Sequence, residues 1–266
     1  MKHFLFSKRL TSAFLLLSTI SFVAAQQSSP EQVGVQQPQT ELKFPYPAKL
    51  TYEVMWRMLT AGDATVVLKQ SNPGGWNLNL DLASSGLVSR LYRVLDTYKV
   101  TTNNKFCGES AVLDAQEGKK HSISRLTFDT ARRKVLLDER NYVSNTTEKK
   151  QLDIPPCTYE ITGALVALRL LNLPPGRTVT LPVTDGKKVA YIRVDSQARE
   201  NLSVAGKAYS TIRYEAFVFD NVLYKRKGRL FLWMTDDAER IPVQFRLQMG
   251  FPIGNIYVEL GKEDKL

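Results

Sequence analysis

From Leu50 to Met58, the apolar residues Leu50, Tyr52, Val54, Trp56 and Met58 alternate with Thr51, Glu53, Met55 and Arg57. Alternate residues of an extended chain face opposite ways, so a period of two predicts a strand with one buried face. The pattern recurs over 64–68 and 76–82, on either side of the turn signal Asn72-Pro73-Gly74-Gly75. After the hairpin signal Asp185-Gly186 it returns over 189–195, 202–204, 210–219, 229–235, 243–249 and 256–260. Weaker runs fill 98–102, 110–114, 122–128 and 134–139. Short turns between such segments predict a mainly β protein: a single curled antiparallel sheet or barrel of roughly ten to twelve strands.

Two segments break the alternation. The clearer one, Thr158 to Asn172, reads TYEITGALVALRLLN between Pro155-Pro156 and Pro174-Pro175-Gly176. Thr158 is the expected N-cap, Glu160 suits the positive start of a helix, and the prolines stop it. Arg169 is the only charge in its interior, and a helix that is apolar almost all round is expected to be buried. A short second helix is expected over 87–94, after Gly86. About eight strands make a barrel that side chains can fill, whereas more strands leave space inside. The buried helix is the expected plug.

The first 25 residues change the picture of compartment. Lys2, Lys8 and Arg9 precede an uncharged, mostly apolar run from Leu10 to Val23, and Val23-Ala24-Ala25 supplies small residues for cleavage. This predicts a secretory signal peptide cut after Ala25, and an exported protein of the periplasm with no membrane span afterwards. Residues 26–46, rich in Gln, Pro and Ser, read as a flexible leader, and 47–266 as a single β-barrel-like domain. Removing the three basic residues of the leader lowers the formal net charge from +10 to +7. An anionic partner such as lipid would suit that charge, but the basic clusters are scattered among turn signals, where solvated charge is the plain reading. Export argues against nucleic acid as a partner.

Two cysteines remain, Cys107 and Cys157. An even count in an oxidising compartment predicts one disulfide; the other readings are two buried thiols or a nucleophile. A nucleophile needs a base, and His121 is the only histidine beyond the leader. The same scarcity argues against a histidine-based metal site. No catalytic residue, metal or cofactor is expected. The adjacent Asp236 and Asp237 could be taken for a hydrolase pair, but they sit in a loop of hairpin length, TDDAER, between two apolar runs. Aspartate caps backbone N–H groups in turns, so a turn and ion pair with Arg240 is the preferred reading. Trp56, Trp76 and Trp233, with Leu165 and Leu168 of the buried helix, are the candidates to line a ligand cavity. Ordinary core packing is the alternative for the aromatics.

The stretches LTYEVMWRMLTAGDATVVL, SSGLVSRLYRVLDTYKV, IPPCTYEITGALVALRLL, LPVTDGKK and KGRLFLWMTDDAERIPVQFRLQMGFPIGNIYVEL occur in that order. Together they resemble the bacterial exported-protein family called domain of unknown function 3108, and Trp233 to Val243 is the most specific part. The resemblance implies an envelope protein of Gram-negative-type bacteria and carries over no activity and no catalytic residue. As an analogy of fold, a curled sheet around a helix is similar to periplasmic lipoprotein carriers. The expectation is a non-enzymatic periplasmic protein binding a hydrophobic or amphiphilic, lipid-like molecule. The alternative is an envelope assembly or scaffold protein acting through protein contacts, and a carboxylate-based hydrolase is the weakest reading.

Overall fold

In a computed structural model of the protein, which describes residues 46–71, 74–171 and 173–266, the alternating segments assemble into one sheet of fifteen strands. Strands β1 (Ala48–Trp56), β2 (Leu59–Ser71) and β3 (Gly75–Ser84) lead through the short helix α1 (Gly86–Leu91) to β4 (Val94–Thr102). Then come β5 (Gly108–Glu117), β6 (Lys120–Asp129), β7 (Lys134–Asn141) and β8 (Thr146–Asp153). The second half holds β9 (Tyr159–Glu160), the helix α2 (Ile161–Arg169), β10 (Thr178–Thr184) and β11 (Val189–Val204). It closes with β12 (Lys207–Ala216), β13 (Gly228–Thr235), β14 (Pro242–Met249) and β15 (Asn255–Lys265).

Strand order runs from β8 down to β1, then β15 down to β9. The sheet is therefore two meanders joined in the middle, where β1 pairs antiparallel with β15 from Ala48↔Lys265 to Trp56↔Ile256. Only the two-residue pairing of β9 with β10 is parallel. Ten to twelve strands was too few: β8 and β9 do not carry the alternating signal, and β10 alternates over Val179, Leu181 and Val183 but contains Pro182. The sequence of β8, TTEKKQLD, is polar except for Leu152, which packs on the core; from Thr146 to Gln151 the edge is exposed on both faces, and charge there blocks pairing with another sheet. In β10, Pro182 interrupts a strand that is nearly an edge, paired with β9 only at Val183 and Thr184.

The sheet curls but does not close by hydrogen bonds: β8 and β9 are its two free edges. Instead it overlaps itself. The β10–β11 turn reaches the concave side of β6 and β7, where Lys187 Nζ lies 2.9 Å from Glu139 Oε1 and Lys150 Nζ donates to the Lys187 carbonyl. Gly186 in that turn has φ +83°, and a Cβ there would meet Leu126 Cδ2 at 2.3 Å. Both its backbone and its neighbours require glycine.

In a meander alternate connections share an end. The β2–β3, β4–β5, β6–β7, β11–β12 and β13–β14 connections gather at one end, and α2 lies across it. The helix starts beside the β4–β5 loop, where a Cβ on Gly163 would come 3.2 Å from the Phe106 carbonyl oxygen. It finishes beside the β13–β14 loop, where Arg169 Nη2 donates to the Glu239 carbonyl at 2.9 Å. The helix is shorter than Thr158 to Asn172. Thr158 stays in the preceding loop, its hydroxyl donating to the Pro155 carbonyl at 2.8 Å, and the buried Glu160 is the N-cap, accepting from Thr162 N at 2.8 Å. At the other end the chain tightens, with Leu170 N donating to the Ala167 carbonyl at 2.9 Å, so helical geometry stops at Arg169. Asn172 and residues 1–45, with the cleavage point and all of the leader except Tyr46, lie outside the described residues.

Cys107 and Cys157 form a disulfide, with Cα atoms 4.7 Å apart. It ties the β4–β5 loop to the segment entering β9, and Gly108 N donates to the Thr158 carbonyl at 3.0 Å beside it. The bridge thus pins the start of the plug to the sheet. On the chain-entropy model, closing a loop of 50 residues is worth about 4 kcal/mol. Replacing both cysteines by serine is expected to lower the unfolding free energy by about that amount, read as a lower denaturant midpoint with a somewhat steeper slope, since the unbridged unfolded chain exposes more surface.

Candidate functional site

With α2 across one end, the apolar concave face is not filled. Between the helix and the sheet lies a cavity of about 370 Å³. Its wall alternates as the strands do: Leu50 and Tyr52 from β1, Leu78 and Leu80 from β3, Leu232 from β13 and Phe245 from β14 all point in. The helix contributes Ile161, Ala164, Leu165 and Leu168. Leu80, Leu82, Leu165, Leu247 and Val258 face this concave side yet are only half-buried, which shows that the cavity reaches solvent. Its lining extends from Ala48 and Arg169 at the plugged end to Tyr224, 40% exposed, in the β12–β13 loop at the opposite end. That opposite end is the mouth.

A magnitude separates a packing fault from a site. Core voids cost roughly 24 cal/mol per Å³, so a sealed void of this size would cost on the order of 9 kcal/mol. Whole-domain stability is only about 5–15 kcal/mol. A void of this kind persists only where water or a ligand has access.

Arg169 is the one charged side chain in the wall. It is buried, and burial pushes its guanidinium below the usual arginine value while Tyr52, Tyr46 and Glu263 pull the other way. Its charge is spoken for at the plugged end. There Tyr46 Oη donates to Glu263 Oε1 at 2.6 Å, and Lys265 Nζ lies 2.8 Å from Glu239 Oε1. Burial also raises the Glu160 carboxyl, against the hydrogen bonds it receives from Thr162. Among the described residues, no group of three His, Cys, Asp or Glu side chains converges as a metal site would require.

Of the residues expected to line the cavity, Leu165 and Leu168 do so, and the three tryptophans do not. Trp76 stacks on Phe106 beneath the cavity, with ring centroids 5.7 Å apart, and belongs to the main core. Trp56 ends β1 at the mouth, where its Nε1 donates to the Ile253 carbonyl at 2.7 Å. Trp233 pairs with Gln244 and Arg213, neighbours of the inward Leu232 and Met234, and so points to the convex side. It is nonetheless buried, because the overhanging β11–β12 hairpin packs Leu202 and Tyr209 onto its cluster. Its Nε1 donates to Glu200 Oε2 at 2.8 Å, and Arg246 lies over its ring at 5.3 Å. Residues missed in the sequence, such as Leu80, Leu232 and Phe245, carried their signal in the alternation itself.

The twin aspartates point in different directions. Asp237 Oδ1 accepts from the Thr235 hydroxyl at 2.7 Å and from the backbone N–H groups of Glu239 and Arg240 at 3.0 and 2.9 Å. Asp236 pairs with Arg199 at 2.6 Å. Arg240 donates to the carbonyls of Arg169 and Leu171 at the end of α2, a contact that holds the plug.

Comparison with known proteins agrees with this geometry. The family model described as "Protein of unknown function (DUF3108)" matches residues 51–260. No curated protein matches the chain. Among solved structures, the chain is similar to a β-barrel-like protein of the domain of unknown function DUF1849 from Brucella abortus. The identity is 10%, the TM-score 0.55, and the match covers 83% of this chain and 98% of that one. A protein from Bacteroides fragilis described as having a YmcC-like fold matches at 13% identity and TM-score 0.33, over 83% of this chain and 97% of its own. The first of these likenesses concerns the fold alone.

Asp237→Ala removes three acceptor contacts from one turn, and we expect a loss of about 1–2 kcal/mol in thermal or chemical unfolding, with Asp237→Asn retaining part of it. Loss of a cellular role by a variant with unaltered unfolding would instead give these carboxylates a chemical task.

Proposed function

The chain belongs to the DUF3108 family, whose description assigns no activity, and we propose that it is a non-enzymatic, exported protein of the cell envelope that binds a hydrophobic or amphiphilic, lipid-like molecule. The observation that carries this reading is the cavity of about 370 Å³, walled by aliphatic side chains and open at one end. Sites for small ligands are concave, largely apolar and fall in the range of about 300–1,000 Å³. An acyl chain or comparable hydrocarbon is the complementary occupant, since the wall offers few hydrogen-bonding groups and its one guanidinium is already engaged. The location in the periplasm rests on the basic, apolar and small-residue pattern of residues 1–25.

Two measurements test this reading. Intact mass of the protein recovered from the envelope is expected to begin at Gln26; a retained leader would replace the periplasmic reading with an anchored one. Solvent extraction of the same preparation is expected to release lipid close to one molecule per chain. Leu165→Arg, which places an unpaired charge in the wall, and Leu165→Trp, which fills the space, are each expected to lower that yield tenfold or more. Lipid-free protein that also fails to bind an apolar fluorescent probe would leave the envelope scaffold as the reading.

A further inference from the structure

The mouth end of the sheet carries the β1–β2, β3–β4, β5–β6, β7–β8, β10–β11, β12–β13 and β14–β15 connections. Most of the exposed large apolar residues lie on them. Met58 in the β1–β2 turn is 93% exposed and Phe251 in the β14–β15 turn is 97% exposed. Leu87 and Leu91 of α1 and Val143 of the β7–β8 turn, all exposed, lie on further connections of the same end. Single exposed apolar residues need no explanation, but a set gathered at one end of a sheet marks an interaction surface.

The β1–β2 turn adds a second, independent observation. Trp56 pairs with Leu59, so Arg57 and Met58 form a two-residue hairpin loop, and both have positive φ, 50° and 63°. Hairpin loops of that conformation favour Asn-Gly, because residues with bulky side chains are strained in the left-handed region. Here the strained tip holds an arginine and a fully exposed methionine. Arg57 is held within the fold, its guanidinium 4.9 Å over the Trp56 ring and donating to the Pro252 carbonyl, whereas the Met58 side chain contributes nothing to the turn and is free to meet something outside the fold.

Charge identifies what that is. Arg57, Arg90, Arg93, Lys119 and the run Lys225-Arg226-Lys227 stand exposed among the apolar tips. We propose that this rim docks the protein on the surface of an anionic lipid bilayer, with Met58, Phe251 and the leucines of α1 entering the head-group layer and the cations lying against lipid phosphates. Interfacial binding combines buried apolar area with attraction of basic residues to anionic lipid in this way. The apolar tips sit on separate turns at the end that carries the cavity mouth, and the exposed cations sit on connections of the same end. Separate tips of this kind suit a fluid surface that deforms around each one. The inference does not require the cavity to hold a ligand, and its probe is the vesicle alone.

Co-sedimentation of the exported protein with vesicles of phosphatidylglycerol and phosphatidylethanolamine, against vesicles of phosphatidylcholine, tests it. We expect binding to the anionic vesicles, weaker binding to the neutral ones, and a several-fold loss of the anionic preference at high salt. Met58→Asn keeps the left-handed turn while removing the apolar chain, and with Phe251→Ser it is expected to weaken binding by about tenfold for each residue replaced. Lys225→Glu with Lys227→Glu is expected to abolish the preference for anionic lipid. Leu136→Ser, at an exposed apolar position of β7 away from the rim, is the control and is expected to bind as the parent does. No binding to anionic vesicles, or equal loss in the rim and control variants, would overturn the proposal.

Discussion

One disproportion governs this structure: fifteen strands present more apolar concave surface than a single nine-residue helix can cover. A sheet with one greasy face must curl until that face is shielded, and this one curls past itself, tucking the β10–β11 turn beneath β6 and β7. The helix then has one end of the roll to block. Everything else at that end serves to hold it there. The disulfide fixes the segment before it, Glu160 caps its first turn, and Arg240 takes the carbonyls of its last. The cavity is what is left over, and it persists because the roll is open opposite the plug.

Much of this was legible along the chain, and the reasons for what was not are physical. Strands with one wet and one dry face announce themselves by alternation, so β1 to β7 and β11 to β15 were found. Strand β8 is wet on both faces from Thr146 to Gln151 and has no period to read. The inward aliphatic residues of β1, β3 and β13 were visible as strand faces, and with Leu165 and Leu168 they make the wall. Size and aromaticity were poor guides. Tryptophan packs where a large flat group is needed or an N–H can find an acceptor: Trp76 stacks on Phe106, and Trp56 and Trp233 donate to the Ile253 carbonyl and Glu200, all outside the cavity. Trp233 misled most, because a bulge after it and a hairpin folded over it made the convex face of the sheet locally dry.

The loop holding the twin aspartates shows why paired acids in a sequence are weak evidence for chemistry. Adjacent residues in a tight turn diverge: Asp237 turns inward to cap the backbone, while Asp236 reaches sideways to Arg199. What distinguishes the loop is its position at the end of α2, where Glu239 and Arg240 are the contacts that matter. A stretch with the composition of an acid–base site is, in three dimensions, a latch.

The pairing of β1 with β15 has a consequence of a different kind. These strands are neighbours at the centre of the sheet but are separated by nearly the whole of the described chain, so each meander can gather locally while the seam between them cannot. Contacts so distant in sequence form late, because the intervening chain must be brought together first. Until residues 255–265 are available, β1 and β14 are both unpaired edges, and the two meanders are not joined into one sheet. A chain synthesised in order therefore keeps two separate meanders, each with an open edge, until β15 has been made and slots between them.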